Sequence, residues 1–209
     1  MSYHPVPRTS GQLPTLVTVD TLYSETAQNC VTLTRSHRMT STDQAQTVTN
    51  KTFDEINIGD TASYARLVTH REVQLFAAVS GDHNPVHLDP SYAEGTQFGE
   101  CIAHGMLTGA FISAAIAMEL PGPGTIYLGQ TLKFRAPVTL GDTLTVVLEV
   151  TEKHPSKPWV TIDCRVLNQN DKTVALGAAQ VMAPTKKETV TLVPPPAIQL
   201  VDDDSTTNC

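Results

Sequence analysis

The longest apolar stretch of the chain constrains the fold more than any other feature of the sequence. It runs from Ile102 to Leu120, is apolar on nearly every side, and stops at Pro121-Gly-Pro-Gly. This pattern predicts a helix that is enclosed by the protein rather than one that lies on its surface. At about 1.5 Å per residue the helix is roughly 20 to 25 Å long, which is too short to cross a bilayer.

Segments typical of β-strands lie on both sides of this helix in the sequence. One precedes the helix at residues 61–68, and four follow it, at residues 125–134, 143–153, 159–168 and 172–184. The last three are joined by short connections, which favours an antiparallel meander. One central helix with strands before and after it predicts an α+β architecture in which the sheet wraps the helix.

Composition divides the chain into one domain and two extensions. Residues 1–50 are rich in Ser and Thr and are predicted to be a flexible N-terminal extension, with a short strand at 15–22 or an ordered arm as alternatives. The domain is predicted at residues 51–185. Residues 186–209 include Pro194-Pro-Pro and an acidic run, and are predicted to be a disordered C-terminal tail.

Charge and cysteine usage exclude several classes of function. A net charge of −7 argues against a general affinity for nucleic acid or for anionic membranes, since both require a basic face. The four cysteines are far apart and form no C-x-x-C pair, so neither a zinc site nor a disulfide framework is predicted. With no recognisable export signal or membrane span, the cytoplasm is the predicted compartment.

A short acid- and histidine-containing segment, Ser80 to His87, precedes the apolar stretch and is predicted to be a bent active-site loop. Pro85 lacks an N–H and pushes Asn84 out of the helical region, so the loop can aim Asp82 and His87 into one pocket. A carboxylate and an imidazole aimed at one point can move protons between water and a substrate carbon. The alternative is an ordinary turn in which Asp82 caps a backbone amide. No metal site is predicted, because Pro85 breaks the helix that a His83 and His87 pair needs.

Two helix starts flank this loop in the sequence. Thr69 and Glu72 form a predicted capping box, and Asp89-Pro90 is a predicted start for a helix over residues 91–95. The first helix is predicted to bury its apolar residues, which are Val73, Leu75, Phe76 and Val79.

Three separated motifs carry a family resemblance. They are Gly-Asp-His-Asn-Pro-Val-His-Leu-Asp-Pro, then Ile-Ala-His-Gly-Met-Leu, then Ile-Tyr-Leu-Gly-Gln-Thr-Leu-Lys-Phe-Arg-Ala-Pro-Val. Over about residues 53–183 the chain resembles the MaoC-like family of (R)-specific enoyl-CoA hydratases. It is also similar to the hydratase module of bifunctional enoyl-CoA hydratase/phosphate acetyltransferase proteins, although this chain ends before any such second domain.

The resemblance implies a hot-dog fold, in which a long helix is wrapped by a curved antiparallel sheet. It also implies a homodimer or higher homo-oligomer, with active sites near the subunit interface. The implied activity is syn addition of water to trans-2-enoyl-CoA to give (R)-3-hydroxyacyl-CoA, or the reverse dehydration. No separate cofactor is implied, since coenzyme A is part of the acyl-CoA substrate.

The resemblance also implies roles for individual residues. Asp82 and His87 match the catalytic pair, and Gly105 matches the residue whose amide holds the thioester oxygen. Asn84, next to Pro85, is expected to set the angle of the pair. Ser113 matches a hydroxyl that supports the histidine, with a bond to the carbonyl of its own helix as the alternative.

Four further residues are predicted to contact the substrate. Lys133 and Arg135 share one strand face by period two and are candidates for the coenzyme A phosphates, with a solvated face as the alternative. Phe98, in the loop before the helix, is a candidate substrate contact. His104 is a candidate substrate contact, or else a core histidine satisfied by the backbone.

Two other functions remain open from the sequence. A hot-dog acyl-CoA thioesterase would place a carboxylate on the long helix, where only Glu119, at its far end, is available. A non-catalytic thioester-binding module has no need of an acid and a base in one pocket, so Asp82 and His87 count against it.

Overall fold

A five-stranded antiparallel sheet in the order β2-β4-β5-β6-β3 packs around one long helix, α4. The computed structural model describes residues 46–200. The elements in chain order are β1 (Thr47–Thr49), β2 (Thr61–Leu67), α1 (His70–Ser80), α2 (Pro85–Leu88), α3 (Pro90–Glu94), α4 (Gly105–Met118), β3 (Ile126–Phe134), β4 (Thr143–Lys153), β5 (Trp159–Leu167), β6 (Thr173–Met182) and β7 (Thr189–Thr191). The predicted central helix, the five strands of the sheet and the β4-β5-β6 meander are confirmed.

Alternating apolar residues explain why β4 lies at the centre of the core. Leu144, Val146 and Leu148 point to one face and are 0 to 1% exposed, while the residues between them are half-buried. From α4, Ile112 and Ile116 belong to the same buried cluster. The interface between α4 and the sheet therefore contains most of the core. Burial of one such side chain stabilises the fold by roughly 1.5 to 3 kcal/mol.

One face of α4 does not meet the sheet. Met106, Ala110, Ser113 and Ala117 are exposed and follow each other at helical spacing. The prediction that this helix is enclosed on nearly every side is therefore wrong for this stripe. The stripe is built of small and apolar residues, so the sequence pattern did not distinguish it from the face against the sheet.

A second, two-stranded sheet extends the domain beyond its predicted boundaries. β1 pairs antiparallel with β7, and the Asn50 side chain donates hydrogen bonds to the carbonyls of Pro123 and Lys186. Residues 47–50 and 186–191 are thus part of the folded domain, and the boundaries at 51 and 185 are corrected outwards. Strands of three residues are too short to show a hydrophobic period. The predictions for residues 1–45, including the strand at 15–22, and for residues 201–209 lie outside the described residues.

Within residues 46–200, no helix is both long and apolar enough to span a bilayer. α4, with 14 residues, is about 21 Å long and falls short of the roughly 30 Å hydrocarbon layer.

Candidate active site

The helix α1 delivers the acidic loop, and its start is fixed as predicted. Thr69 and Glu72 form the capping box, with the Thr69 amide donating to the Glu72 carboxylate over 3.1 Å. Burial raises the pKa of Glu72, but the hydrogen bonds from Thr69 outweigh it and the pKa is lowered overall. Val73 is buried as predicted, whereas Val79 is 88% exposed because it lies at the open end of α1.

The loop after α1 holds Asp82 through backbone contacts. Gly81 ends the helix with a φ of 76° and donates its N–H to the Ala77 carbonyl over 2.9 Å, a helix end that favours glycine. The Ser80 hydroxyl accepts a hydrogen bond from the Asp82 amide, and an Asp82 carboxylate oxygen accepts one from the Asn84 amide over 3.2 Å. The carboxylate of Asp82 is thus anchored but remains exposed.

Asn84 and Pro85 start the short helix α2, which carries His87. The Asn84 side chain caps the Val86 amide over 3.3 Å, and Pro85 occupies the first helical position, where no N–H is needed. Asn84 has a ψ of 125°, outside the helical region, as Pro85 predicts. The prediction of an irregular loop through His87 is corrected, since His87 lies on a one-turn helix.

The orientation of the His87 ring is set by the backbone. Its Nδ1 lies 2.7 Å from the Ile102 carbonyl, and the Ile102 amide in turn donates to the Val86 carbonyl. Because a carbonyl only accepts, Nδ1 carries the proton and the neutral ring presents a lone pair at Nε2. His87 is 8% exposed, so that lone pair is held in a nearly closed site beside Asp82.

His104, the residue before α4, contacts both members of the pair. Its Nε2 lies 2.9 Å from the Asp82 carbonyl, and its ring centroid is 3.8 Å from that of His87. The side chain is 2% exposed. The sequence left two alternatives for His104, a substrate contact or a core histidine satisfied by the backbone. The structure supports the second.

Gly105 begins α4, and its N–H therefore has no carbonyl partner within the helix. Such an amide lies at the positive end of the helix dipole and suits a developing negative charge. The ring of Phe134 lies directly over Gly105, since an added Cβ would come within 2.9 Å of the Phe134 Cζ. A side chain at this position would thus collide with the Phe134 ring at the wall of the cavity that both residues line.

A cavity of about 280 Å³ joins His87 and Gly105. Its other walls are mostly apolar and come from three parts of the chain: Phe98, Ile102, Ala103, Thr108, Phe134, Ala136, Pro137, Val138 and Val174. Phe98, predicted as a substrate contact, is among them. Thr108 was not predicted, but it lies one turn after Gly105 on α4, so the helical period could have identified it as a cavity residue. Val174 carries no signal in the sequence, because only the sheet brings it close.

Two predicted contacts lie outside this cavity. Lys133 lines a separate hollow with Glu149, Asp163 and Arg165, on the sheet face opposite to the Phe134 ring. Neither Lys133 nor Arg135 lines the cavity, so in a single chain the structure does not bring them to His87. Arg135 follows the last residue of β3, so the shared strand face of the two residues stays a prediction.

Ser113 also lies away from the histidine. Its side chain is exposed on the open stripe of α4, and within residues 46–200 it forms no hydrogen bond to His87. The backbone carbonyl of Ile102 supports the ring of His87 instead. The role of Ser113 that the resemblance implies stays a prediction.

A carboxylate oxygen of Asp82 and one ring nitrogen each of His87 and His104 lie within 4.8 Å of one another. This donor set is compatible with a metal ion, but one nitrogen of each ring already bonds to a backbone carbonyl. An acid and an imidazole at this separation equally suit proton transfer through a water molecule. The prediction that no metal is needed stays a prediction, and retention of activity after dialysis against EDTA tests it.

Comparison with known proteins assigns this fold and site to a class. Residues 40–170 match the family model described as MaoC like domain. The chain belongs to this family. The model spans more than half of the chain and includes Asp82, His87 and Gly105, so the resemblance seen in the motifs is confirmed.

Individual relatives are similar over the same region. The chain is 45% identical over 136 residues to the (R)-specific enoyl-CoA hydratase of Rhodospirillum rubrum, covering 64% of this chain and 92% of that protein. It is 40% identical over 136 residues to the 3-hydroxybutyryl-CoA dehydratase of Methylorubrum extorquens, covering 65% and 86%. Among solved structures, the unliganded R-hydratase PhaJ1 from Pseudomonas aeruginosa has a TM-score of 0.73 at 56% identity, covering 75% of this chain and 100% of that chain. The hot-dog fold is confirmed by such neighbours.

Proposed function

We propose that the protein is an (R)-specific enoyl-CoA hydratase, a hydro-lyase that adds water to trans-2-enoyl-CoA to give (R)-3-hydroxyacyl-CoA and also catalyses the reverse dehydration. One observation carries the proposal: the lone pair of His87 and the free amide of Gly105 share one apolar cavity, with Asp82 beside His87. The names of the relatives agree with this activity. The absence of a separate cofactor and the cytoplasmic location remain predictions from the sequence.

Activation of water is assigned to Asp82 and His87. In an enoyl thioester the carbonyl withdraws electrons from C3, so a deprotonated water can add there. Asp82 accepts a proton from the water as the water oxygen bonds to C3, and Nε2 of His87 accepts a hydrogen bond from the same water. The Asp82–His87 pair then delivers the proton to C2. Proton transfers of this kind contribute about 10²- to 10⁴-fold each. Since water and proton come from one side, the addition is syn.

Stabilisation of the enolate is assigned to Gly105. As C3 is attacked, negative charge develops on the thioester oxygen, and the Gly105 amide at the start of α4 is placed to donate to it. The apolar walls of the cavity exclude water, which strengthens this interaction. Loss of one such donor typically costs about 3 kcal/mol of barrier.

The direct test replaces the acid and the base in turn. We expect Asp82→Asn and His87→Ala to lower the rate of crotonyl-CoA hydration by about 10²-fold or more, as measured by loss of the enoyl-thioester absorbance. Asp89→Asn is the matched control, because Asp89 only caps α3 and asparagine caps as well. Chiral analysis of the product must give the (R) alcohol. Near-full activity of Asp82→Asn would remove the assigned mechanism.

Hydrolysis by a thioesterase is the competing activity, and the long helix argues against it. Its one nearby carboxylate, Glu119, follows the last residue of α4, about 21 Å along the helix from Gly105. Among residues 46–200, none of the residues that line the cavity carries a carboxylate, and the carboxylate of Asp82 is the one grouped with His87. Thiol release from both saturated and unsaturated acyl-CoA would favour hydrolysis instead. Binding of enoyl-CoA without turnover at any chain length would favour a non-catalytic module.

The uncovered apolar surfaces support the homodimer that the resemblance implies. Met106 on the open stripe of α4 is 60% exposed. On β3, which forms one edge of the sheet, Ile126 is 51% exposed and Leu128 43%. Exposed apolar surface and an unpaired sheet edge are both features that a partner chain normally covers. We propose that a second copy of the chain covers them.

Light scattering tests the dimer. We expect wild-type protein to have twice the mass of one chain, and Leu128→Lys to shift the equilibrium towards monomer. Val193→Lys is the control, because Val193 is 87% exposed and lies on neither α4 nor β3. A monomeric wild type would contradict the proposal, as would a Leu128→Lys protein that associates as strongly as the control.

A further inference from the structure

We propose that His104 is a positioning residue for the hydration reaction: it holds the backbone of Asp82 through a hydrogen bond, packs behind the ring of His87, and does not itself contact the substrate. This inference rests on the proposed hydratase function, in which Asp82 and His87 activate water. Of the two alternatives that the sequence offers for His104, it replaces the substrate contact with the buried histidine. It assigns that buried histidine a role in the reaction.

The hydrogen bond from His104 reaches the residue that carries the base. Nε2 of His104 lies 2.9 Å from the carbonyl oxygen of Asp82, across 22 residues of sequence. A carbonyl accepts only, so Nε2 must carry the proton. The Asp82 carboxylate is exposed and, among the described residues, has one hydrogen-bond partner, the Asn84 amide at 3.2 Å. The position of its main chain therefore decides where that carboxylate lies.

The ring of His104 also packs against the second catalytic group, whose orientation is set by the Ile102 carbonyl. Its centroid lies 3.8 Å from that of His87 with an interplanar angle of 32°, and 5.1 Å from that of Phe76. His104 is 2% exposed and does not line the cavity that His87 and Gly105 share. The ring thus acts on the site from behind His87, where no substrate atom reaches it.

The segment that carries His104 is held on both sides. The Ile102 amide donates to the Val86 carbonyl over 3.3 Å, and the Ala103 amide donates to the Val138 carbonyl over 2.8 Å. His104 therefore connects a fixed point of the domain to an exposed loop. Its other nitrogen, Nδ1, is buried and has no partner among the described residues, so the bond from Nε2 is what orients the ring.

A set of three substitutions at residue 104 tests the bond. Glutamine places an amide nitrogen as many bonds from the backbone as Nε2, whereas asparagine places it where Nδ1 lies. We expect His104→Gln to keep kcat within about threefold of wild type. We expect His104→Asn and His104→Phe to lower kcat by about 10²-fold, since a misplacement of about 1 Å costs that much. KM for crotonyl-CoA should stay within about threefold in all three, because His104 is outside the cavity.

His83→Gln is the matched control: the same change in an exposed histidine of the same loop should leave kcat and KM unchanged. Circular dichroism and thermal melting show whether each variant folds. If His104→Phe does not fold, the comparison of the Gln and Asn variants still decides. Equal kcat in these two variants would overturn the proposal, and so would a rise in KM that accounts for the loss of kcat/KM.

A spectroscopic measurement separates this inference from the function it rests on. In a long-range proton–nitrogen spectrum of the native protein, we expect His104 to show a protonated Nε2 and an unprotonated Nδ1. The opposite tautomer would overturn the contact with Asp82 whatever the activity. A wild-type protein with this tautomer but without hydratase activity would instead overturn the proposed function.

Discussion

Substitution of Gly105 by alanine separates activity from stability at this site. The added Cβ would lie 2.9 Å from Cζ of Phe134 and 3.1 Å from its two Cε atoms, against 3.4–4 Å for ordinary contact. The ring must therefore move by about half an ångström. Phe134 is 51% exposed, so its ring has room to swing outwards. Gly105 has no positive φ, so alanine also lowers the entropy of the unfolded chain, a gain of about 0.4 to 1 kcal/mol that offsets the cost of that shift.

Activity responds differently because Gly105 and Phe134 both line the cavity. The new methyl group and the displaced ring would take up cavity space that the thioester oxygen needs to approach the Gly105 amide. We expect kcat/KM for crotonyl-CoA to fall by about 10²-fold, which corresponds to about 2.7 kcal/mol and is typical of a lost oxyanion donor. We expect the melting temperature to change by no more than a few degrees.

Initial rates of crotonyl-CoA hydration and thermal melts measure the two effects on the same protein. Gly109→Ala is the matched control: the position lies one turn further along α4, outside the cavity, and its Cβ would meet Met106 at 3.3 Å and Leu132 at 3.4 Å. It should keep near wild-type activity. A Gly105→Ala protein with kcat/KM within about threefold of wild type would refute the oxyanion assignment. Recovery of activity in Gly105→Ala/Phe134→Leu would show that the displaced ring, not the methyl group, causes the loss.

Two further predictions concern pH and thiol chemistry. Hydrogen bonds from Lys187 and Thr52 lower the pKa of Glu55 from 4.5 to about 2, so its contribution to stability is complete above pH 4.5 and is lost as pH falls towards 2. Urea midpoints of wild type and Glu55→Gln should therefore differ at pH 6 and converge near pH 2, and a constant difference would contradict the assignment. Burial raises the pKa of Cys101, and raises that of Cys164 to about 11, so both thiols should resist iodoacetamide at pH 8 until urea is added. Peptide mapping measures this, and fast labelling of either residue in the native protein would contradict it.

Helix starts could be predicted from the sequence because their chemistry is local. The capping box of Thr69 and Glu72 involves residues three apart, and the Asp89 side chain accepts hydrogen bonds from the Ser91 and Tyr92 amides within its own turn. Neither contact depends on the rest of the fold. The strand limits were predictable to within about two residues for a similar reason, since the period-two pattern is set by each strand itself.

Features that depend on distant partners could not be predicted in the same way. β1 and β7 are three residues each and form only because Asn50 and the 186–191 segment come together across the fold. The period of β3 places Lys133 and Phe134 on opposite faces, but which face lies towards the cavity follows from the packing of Phe134 on Gly105. The open stripe of α4 consists of small and apolar residues, like the face against the sheet. The sequence pattern therefore could not show that a single chain leaves this stripe uncovered.

The residues that carry out the reaction and several of the residues that form the cavity walls come from different parts of the sequence. Every group that is assigned a proton or a charge lies in one continuous segment, residues 82–105, at the end of α1, on α2 or at the start of α4. The cavity walls from Phe134, Val138 and Val174 come instead from the far side of the chain. Because we expect the reacting atoms to meet Asp82, His87 and Gly105 and the acyl chain to meet the walls, substitutions of these three residues should act on kcat. Substitutions in the walls should act on KM in a way that depends on acyl chain length. The acid, the base and the oxyanion donor therefore come from the first two motifs, while the fold brings Phe134 and Val138 of the third motif and Val174 of β6 to the walls that we expect to set the preferred acyl chain.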